Sequence, residues 1–195
     1  MFVKAPSRFA AWLTPTKAFL CSLLIAMGSV LIAAAWFNAV QAKAIAKIAP
    51  HRLSDQVEVT SQLQVEDMEA VGRGFRMLID LRPDGEAADQ PSSQEMENAA
   101  KAIGLKFAYV PVPHGDIPDD TVDKLQALLH TNRNVLLYCR SGKRAARAWA
   151  LAEAKRPGGL SAENIQAAVR SSGQDAYDLN SRIESMVNAR AKVSQ

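Results

Sequence analysis

One ten-residue segment limits the possible folds of this chain more than any other, the sequence VLLYCRSGKR at positions 135–144. Its apolar start predicts a buried strand that ends at Cys139, followed by a short loop with one glycine and three cations. The alanine-rich stretch 145–154 then predicts a helix. In a strand–loop–helix unit, the loop N–H groups and the positive end of the helix dipole point at one place. That place is predicted to be an anion cradle.

A cysteine in such a cradle is predicted to be reactive. Amide dipoles and nearby cations stabilise the thiolate, which is the nucleophilic form of the side chain. The alternative is that Cys139 is an inert, buried residue at a strand end. That alternative leaves the three cations unexplained, and also the glycine that lets the backbone turn its amides inward. The sequence therefore favours a cysteine-dependent enzyme.

The N-terminal part of the chain is predicted to lie outside the globular domain. Residues 1–17 form a basic segment, and residues 18–42 carry no charge and are long enough to cross a bilayer as a helix. We favour an uncleaved transmembrane anchor. The alternative is a secretory signal cleaved near Ala42, where small residues follow the apolar stretch. Residues 43–53 are predicted to be a linker, in which Pro50 ends any helix.

The charge distribution bears on location and partners. Basic residues flank the apolar segment on both sides and so discriminate little between orientations: Lys4, Arg8 and Lys17 precede it, and Lys43, Lys47 and Arg52 follow it. We predict a single-pass protein of the bacterial inner membrane with a periplasmic catalytic domain, or a periplasmic protein if the segment is cleaved. The chain has 23 Lys and Arg against 20 Asp and Glu, and this excess of positive charge arises before Asp55. The sequence contains no basic stripe interleaved with aromatic residues, so we expect no nucleic-acid partner.

Strands and helices alternate along residues 54–190, which we predict to form one catalytic domain. The predicted strands are 57–60, 76–80, 106–112 and 135–138, and the predicted helices include 64–72, 92–102, one opened by Pro118, 162–169 and 174–187. This alternation indicates an α/β fold with a small, mostly parallel sheet flanked by helices. Ligands of such sheets bind beyond the carboxyl ends of the strands, where Cys139, Asp80 and the loop 113–115 all fall. Asp80 and Arg82 either brace the cysteine loop or belong to a turn.

Two resemblances follow from these motifs. The segment Tyr138–Arg144 resembles the active-site loop of rhodanese-type sulfurtransferases, whose pattern is C-R-x-G-x-R or T. The upstream motifs resemble instead the beta-lactamase-hydrolase-like protein family, in its phosphatase-like domain: Ile79–Glu86, Gln90–Ser92, Gly104–Leu105 and Val110–Val112. This resemblance covers most of the chain after His51. It implies a fold like that of dual-specificity protein tyrosine phosphatases, with Cys139 as nucleophile in an oxyanion-binding loop.

The sequence departs from the phosphatase pattern at two places. Cysteine phosphatases carry C-x5-R, in which the arginine clamps a phosphoryl group through two bonds. Here Ala145 holds that position, Arg144 comes one residue earlier, and Tyr138 replaces the histidine that precedes the cysteine. The pattern also needs an acid from the loop after the preceding strand, where Asp116 or His114 could serve, although each is equally explained as a turn residue.

These departures favour sulfur transfer, in which Cys139 carries a persulfide and passes it to a thiol or to cyanide. The first alternative is a phosphatase-type hydrolase with a phosphocysteine intermediate, and the second is a non-catalytic module that binds an anion or senses redox state. The predicted partners are a small sulfur-containing or phosphate-bearing anion, a thiol acceptor and the membrane, with no metal and no cofactor. The predicted site is Cys139 and Arg144 as catalytic residues, Arg140, Ser141, Gly142 and Lys143 as anion-binding residues, and Asp116 or His114 as the general acid.

Overall fold

The computed structural model describes residues 14–193, in two compact units that divide after Lys43. The first unit consists of a helix, α1 (Pro15–Lys47), which extends beyond the division. Within the described residues, α1 is the one helix long and apolar enough to cross a membrane by length and composition, a test that a signal sequence also passes. The predicted basic residues Lys4 and Arg8 lie outside the described part of the chain.

The second unit is built on a five-stranded sheet with strand order β1-β2-β5-β3-β4. The strands are β1 (His51–Arg52), β2 (Val57–Thr60), β3 (Met77–Asp80), β4 (Lys106–Tyr109) and β5 (Val135–Tyr138). Only the short strand β1 runs antiparallel to its neighbour in this sheet, and the other pairs are parallel. The register places Thr60 and Asp80 on either side of Tyr138, so the strands end at a common edge. The predicted mostly parallel α/β sheet is therefore confirmed.

Helices cover both faces of the sheet. They are α2 (Met68–Gly74), α3 (Ser93–Ala102), α4 (Asp119–Thr131), α5 (Lys143–Lys155), α6 (Ala162–Ser171) and α7 (Asn180–Val193). The core on one face takes residues from α4 to α7, and the core on the other takes residues from α2 and α3. Every residue of β3 and β5 is buried, which is why both strands have uninterrupted apolar runs rather than an alternating pattern.

Helix ends follow the local signals in the sequence. The Ser92 side chain accepts a hydrogen bond from the Glu95 amide, and the Glu95 carboxylate accepts one from the Ser92 amide, which is the predicted capping box of α3. Gly104 follows this helix with a φ of +71°, a conformation that glycine adopts without a steric penalty. Helix α4 begins directly after Pro118, as predicted.

Three segments differ from the predictions. The helix predicted over 174–187 begins only at Asn180 and runs to Val193, and residues 174–179 belong to the connection before it. The stretch 43–53, predicted as a linker, contains the last turn of α1 and strand β1, and its apolar residues Ile48 and Leu53 are buried. The predicted strand 106–112 ends at Tyr109, because Pro111 has no amide hydrogen for the ladder. The chain still follows β3 beyond this point, since the amides of Val110 and Val112 donate to the carbonyls of Asp80 and Leu81.

Candidate active site

Cys139 lies at the end of β5, where the strand leads into the loop before α5. The residue is 1% exposed and packs in the core formed with α4 to α7, whereas the preceding Tyr138 packs on the opposite face of the sheet. This alternation is the ordinary geometry of a strand. Because β5 is the central strand of the sheet, the thiol lies at the end of a strand that is paired on both sides, by β2 and by β3.

Gly142 allows the loop to turn into α5. It is the N-cap residue of the helix and has a φ of +85°. A Cβ atom at this position would lie 3.2 Å from Nε2 of Gln174 and 3.4 Å from the Thr60 carbonyl oxygen. The left-handed backbone and the close neighbours together explain why a glycine stands here.

The loop carbonyls are held from outside the loop by two glutamines. The backbone amide of Gln62 donates to the Arg140 carbonyl at 3.3 Å, and Nε2 of Gln174 donates to the Ser141 carbonyl at 3.1 Å. In a trans peptide the N–H points away from the C=O, so the amides of Ser141 and Gly142 point to the other side. Within residues 14–193 neither amide has a protein acceptor. These amides and the N-terminus of α5 are the arrangement that binds anions.

Arg144 is fixed in the first turn of α5 by three hydrogen bonds. Its Nη1 and Nη2 donate to Oε1 and Oε2 of Glu86 at 2.6 Å each, and Nη1 also donates to the Val112 carbonyl at 2.9 Å. These bonds use one edge of the guanidinium. They leave Nε–H and the second Nη2–H, which lie along the other side of the guanidinium, as donors that these acceptors do not use. Hydrogen bonding to Glu86, followed by the charge of the same carboxylate, raises the pKa of Arg144 against the opposing effect of burial.

The Glu86 carboxylate contacts several site residues. Besides Arg144 it accepts from Nε of Arg82 at 3.1 Å and lies 3.3 Å from Nε2 of His114. The hydrogen bonds from Arg144 and then Arg82 outweigh burial and lower the Glu86 pKa to about 2. Arg82 in turn donates to the side chain of Gln62 at 2.6 Å. Arg82 is therefore linked through Gln62 to the loop, and residues 84–85 also form a turn, so this segment has both of the features that the sequence offered as alternatives.

The two candidate acids are placed differently. His114 is exposed and contacts Glu86, which brings its imidazole to the edge of the site. The Asp116 carboxylate accepts from the Ile117 amide at 2.8 Å and pairs with Arg182 of α7 at 3.3 Å. The Asp116 carboxylate is therefore paired with a residue outside the loop, and of the two candidates only His114 contacts the Arg144 cluster in the described residues.

The predicted anion-binding cations also have different surroundings. Nζ of Lys143 lies 3.0 Å from the Asp175 carboxylate, so its charge is offset by an acid that follows α6. Arg140 is exposed, and its backbone carbonyl is the group tied to Gln62. Ser141 is also exposed. The loop thus offers backbone amides and one anchored guanidinium as its most fixed anion-binding groups.

Asp80 is a buried acid beside the loop strand. Its carboxylate is 1% exposed, accepts from the Arg82 amide at 2.8 Å, and sits next to Tyr138 in the sheet register. Burial raises the pKa of Asp80 to about 6, an effect that the Tyr138 hydroxyl partly opposes. Burial and the Asp80 charge raise the pKa of Tyr138 in turn. Tyr138 is thus a neutral core residue rather than a titrating site residue.

Glu86, Gln62 and Gln174 are site residues that the sequence analysis did not assign. Glu86 could have been found, because it follows Arg82 by four residues in the segment that leaves the end of β3. Gln62 and Gln174 could not have been found from the sequence, because each is distant from the loop along the chain and binds a backbone carbonyl of the loop rather than a side chain.

Comparison with known proteins identifies the family. The model of the phosphatase-like domain of beta-lactamase hydrolase-like proteins matches residues 51–156, more than half of the chain. The chain belongs to this family. A beta-lactamase hydrolase-like protein of Xylella fastidiosa (strain Temecula1 / ATCC 700964) is 40% identical over 82 residues, which cover 42% of this chain. The match spans only 19% of that relative, so the chain corresponds to about one fifth of it.

Solved structures show the same fold at low identity. A candidate phosphatase from Neisseria meningitidis z2491 superposes with a TM-score of 0.61 at 24% identity, over 70% of this chain and 96% of that one. The core catalytic domain of the PP-IP phosphatase SIW14 from S. cerevisiae gives a TM-score of 0.53 at 15% identity, over 74% and 91%. This member of the phosphatase-like family thus has a protein-tyrosine-phosphatase-like fold, as its resemblance to the family implied.

Proposed function

We propose that this protein hydrolyses phosphate monoesters through a phosphocysteine on Cys139. The observation that carries the proposal is the anchored Arg144, whose free guanidinium edge is left for the thiol and a bound anion. The sequence analysis set phosphate chemistry second because Arg144 stands one residue earlier than in C-x5-R. We reverse that order because Glu86 and Val112 fix this arginine in the first turn of α5, which supports its use as a phosphate clamp despite the shorter spacing. Family and fold support the same order.

The proposed reaction has two steps. In the first, two phosphate oxygens bind the free edge of Arg144 and a third binds the inward amides of Ser141 and Gly142. The Cys139 thiolate attacks phosphorus, the P–S bond forms, and the P–O bond to the alcohol breaks with its electron pair on oxygen. The alcohol leaves with one proton, which we assign to His114. In the second step water attacks phosphorus and gives one proton back to His114, the P–S bond breaks with its electron pair on sulfur, inorganic phosphate leaves, and the thiolate is restored.

Sulfur transfer is the second candidate, and one observation favours it. Asp116 is tied to Arg182, so the described site lacks the carboxylic acid that the phosphatase pattern requires. In sulfur transfer no acid is needed. The thiolate takes the outer sulfur of thiosulfate and releases sulfite, and the resulting persulfide passes that sulfur to cyanide as thiocyanate or to a thiol.

The two chemistries are distinguished by assaying the full chain, purified in detergent, with an aryl phosphate and with thiosulfate and cyanide. We expect release of inorganic phosphate and, after rapid quenching, a phosphoryl group on Cys139 by mass spectrometry. A His114→Asn variant should slow hydrolysis of an alkyl phosphate much more than that of an aryl phosphate, whose leaving group needs no proton. Thiocyanate formation with a persulfide on Cys139, and no phosphate release, would contradict the proposal.

We further propose that α1 anchors the protein in the bacterial inner membrane with the catalytic unit in the periplasm. The support is the length and composition of α1. The intact mass of the protein from the membrane fraction is expected to include residues 1–42, and a protease added to spheroplasts is expected to digest the catalytic unit. A mass that begins after Ala42 would instead identify a cleaved signal and a periplasmic protein.

A further inference from the structure

The connection between α6 and α7, residues 172–179, contacts the active-site loop although it lies outside the residues that match the family model. Gln174 donates to the Ser141 carbonyl, and Asp175 pairs with Lys143. Further along, both carboxylate oxygens of Asp178 accept from Arg147 of α5 at 2.6 Å each. The α6–α7 connection therefore forms one side of the loop and of the first turns of α5.

The α6–α7 connection is itself fixed in place. Ala176 and Leu179 are buried in the core shared with α5, and Nε2 of Gln166 donates to the Ala176 carbonyl at 3.1 Å. A side chain held on such a segment can position the loop it contacts, because moving it would also disturb the core. Gln174 meets this condition, since its neighbours along the chain are anchored on the side of α5.

The two residues that reach the loop act on different groups. Gln174 binds the outward carbonyl of the 141–142 peptide, so its hydrogen bond holds the Gly142 amide inward. Asp175 binds the Lys143 ammonium at the N-terminus of α5, where a cation is repelled by the positive end of the helix dipole. Without Asp175, the charge of this ammonium would attract an anion to the loop. One contact therefore orients an anion-binding dipole, and the other offsets an anion-attracting charge.

We propose that the α6–α7 connection sets the anion affinity of the active-site loop, with Gln174 as a positioning residue that increases it and Asp175 as an acid that limits it. The inference rests on the anion-binding part of the proposed function. It is independent of which bond the enzyme cleaves, because phosphate and thiosulfate would be held by the same amides.

The test measures phosphate binding without turnover. Cys139 of the full chain in detergent is alkylated with iodoacetamide at increasing inorganic phosphate, and the modified Cys139 peptide is quantified by mass spectrometry, since Cys21 is also a free cysteine. The phosphate concentration that halves the rate reports the affinity. A Gln94→Met variant is the control, because Gln94 contacts only Glu97 and Asn98 on the surface of α3.

Opposite shifts are expected from the two variants. Gln174→Met keeps the volume but removes the donor, and should raise the half-protecting phosphate concentration by about three- to tenfold. Asp175→Asn frees Lys143 and should lower it by about two- to fivefold at low salt, an effect that shrinks as salt is added. If Gln174→Met does not fold, Gln174→Glu serves instead, because it keeps the shape and replaces the donor by an acceptor.

A merely structural role for the connection would weaken binding in both variants together with a lower melting temperature, and that result would overturn the proposal. So would unchanged affinity in Gln174→Met, or wild-type alkylation that phosphate does not slow. If phosphate protects the wild type and the variants shift in opposite directions, but no phosphate ester is hydrolysed, this inference stands and the proposed hydrolase activity fails.

Discussion

Replacing Cys139 with serine is expected to lower turnover by at least about a thousandfold while the fold is retained. The hydroxyl is similar in size to the thiol but is not ionised near neutral pH, so it cannot use the amides and the Arg144 edge that stabilise a thiolate. The change is measured as kcat with an aryl phosphate, and circular dichroism on the same sample checks the fold. The residue is 1% exposed, so the hydroxyl is placed in an apolar core, but the similar size of the two side chains should limit the change in melting temperature to a few degrees.

The control for this substitution is Cys21→Ser. Cys21 lies in α1, and the catalytic unit begins after it, so its loss should leave kcat unchanged. A Cys139→Ser protein that keeps appreciable turnover would remove the nucleophile from the proposed reaction. A Cys139→Ser protein that is inactive but binds phosphate as tightly as the wild type would separate the chemical role of the sulfur from the binding role of the loop.

Replacing Glu86 with glutamine should reduce kcat by about a hundredfold and destabilise the catalytic unit by about 3 kcal/mol. The buried Arg82 and the partly buried Arg144 share this carboxylate, and the variant leaves their charges without an acid. Arg144 would then lose the anchor that presents its free edge to the anion. Glu97→Gln is the matched control, because Glu97 lies on the surface of α3, where it pairs with Lys101 and accepts a long hydrogen bond from Gln94, and its loss should change stability by less than about 0.5 kcal/mol.

The same variant has an expected pH signature. The ordinary pKa of this carboxyl is 4.5, and Arg144 lowers it to about 2 in the folded protein. A lowered folded-state pKa means that the stabilisation is fully present above pH 4.5 and is lost as pH falls through about 2. Urea unfolding between these pH values should show this loss in the wild type and a smaller slope in Glu86→Gln. Equal slopes in the two proteins would show that Glu86 is not the anchored carboxylate of the site.

The sheet, and the position of the Cys139 thiol at the end of a buried strand, could be predicted from the sequence because their signals are local. The apolar runs of β3 and β5, the capping box at Ser92 and the glycine at 142 are each decided by a few neighbouring residues. The parallel arrangement followed from the alternation of strands and helices. The short strand β1 was not predicted, because two exposed residues carry no periodic pattern and are paired only by their neighbour β2.

The parts of the site that were not predicted depend on pairs distant in sequence. Glu86 and Arg144 are separated by 58 residues, and Gln174 and Ser141 by 33. Charge alone led us to count Lys143 among the substrate-binding residues, whereas its pairing with Asp175 appears only when α6 and α7 are packed. The spacing argument against phosphate chemistry compared Arg144 with a linear pattern. It could not take account of the carboxylate that orients the guanidinium.

The two glutamine ties on the loop carbonyls have a consequence for how the protein is made. Gln62 is translated well before the nucleophile, but Gln174 leaves the ribosome 35 residues after Cys139. A recombinant fragment that ends at residue 156, the family boundary, would therefore retain Cys139 and Arg144. It would lack Gln174, one of the two glutamines that hold the backbone of the loop. Inactivity of such a fragment would reflect an unfinished loop, and expression clones for enzymology need to extend through α7.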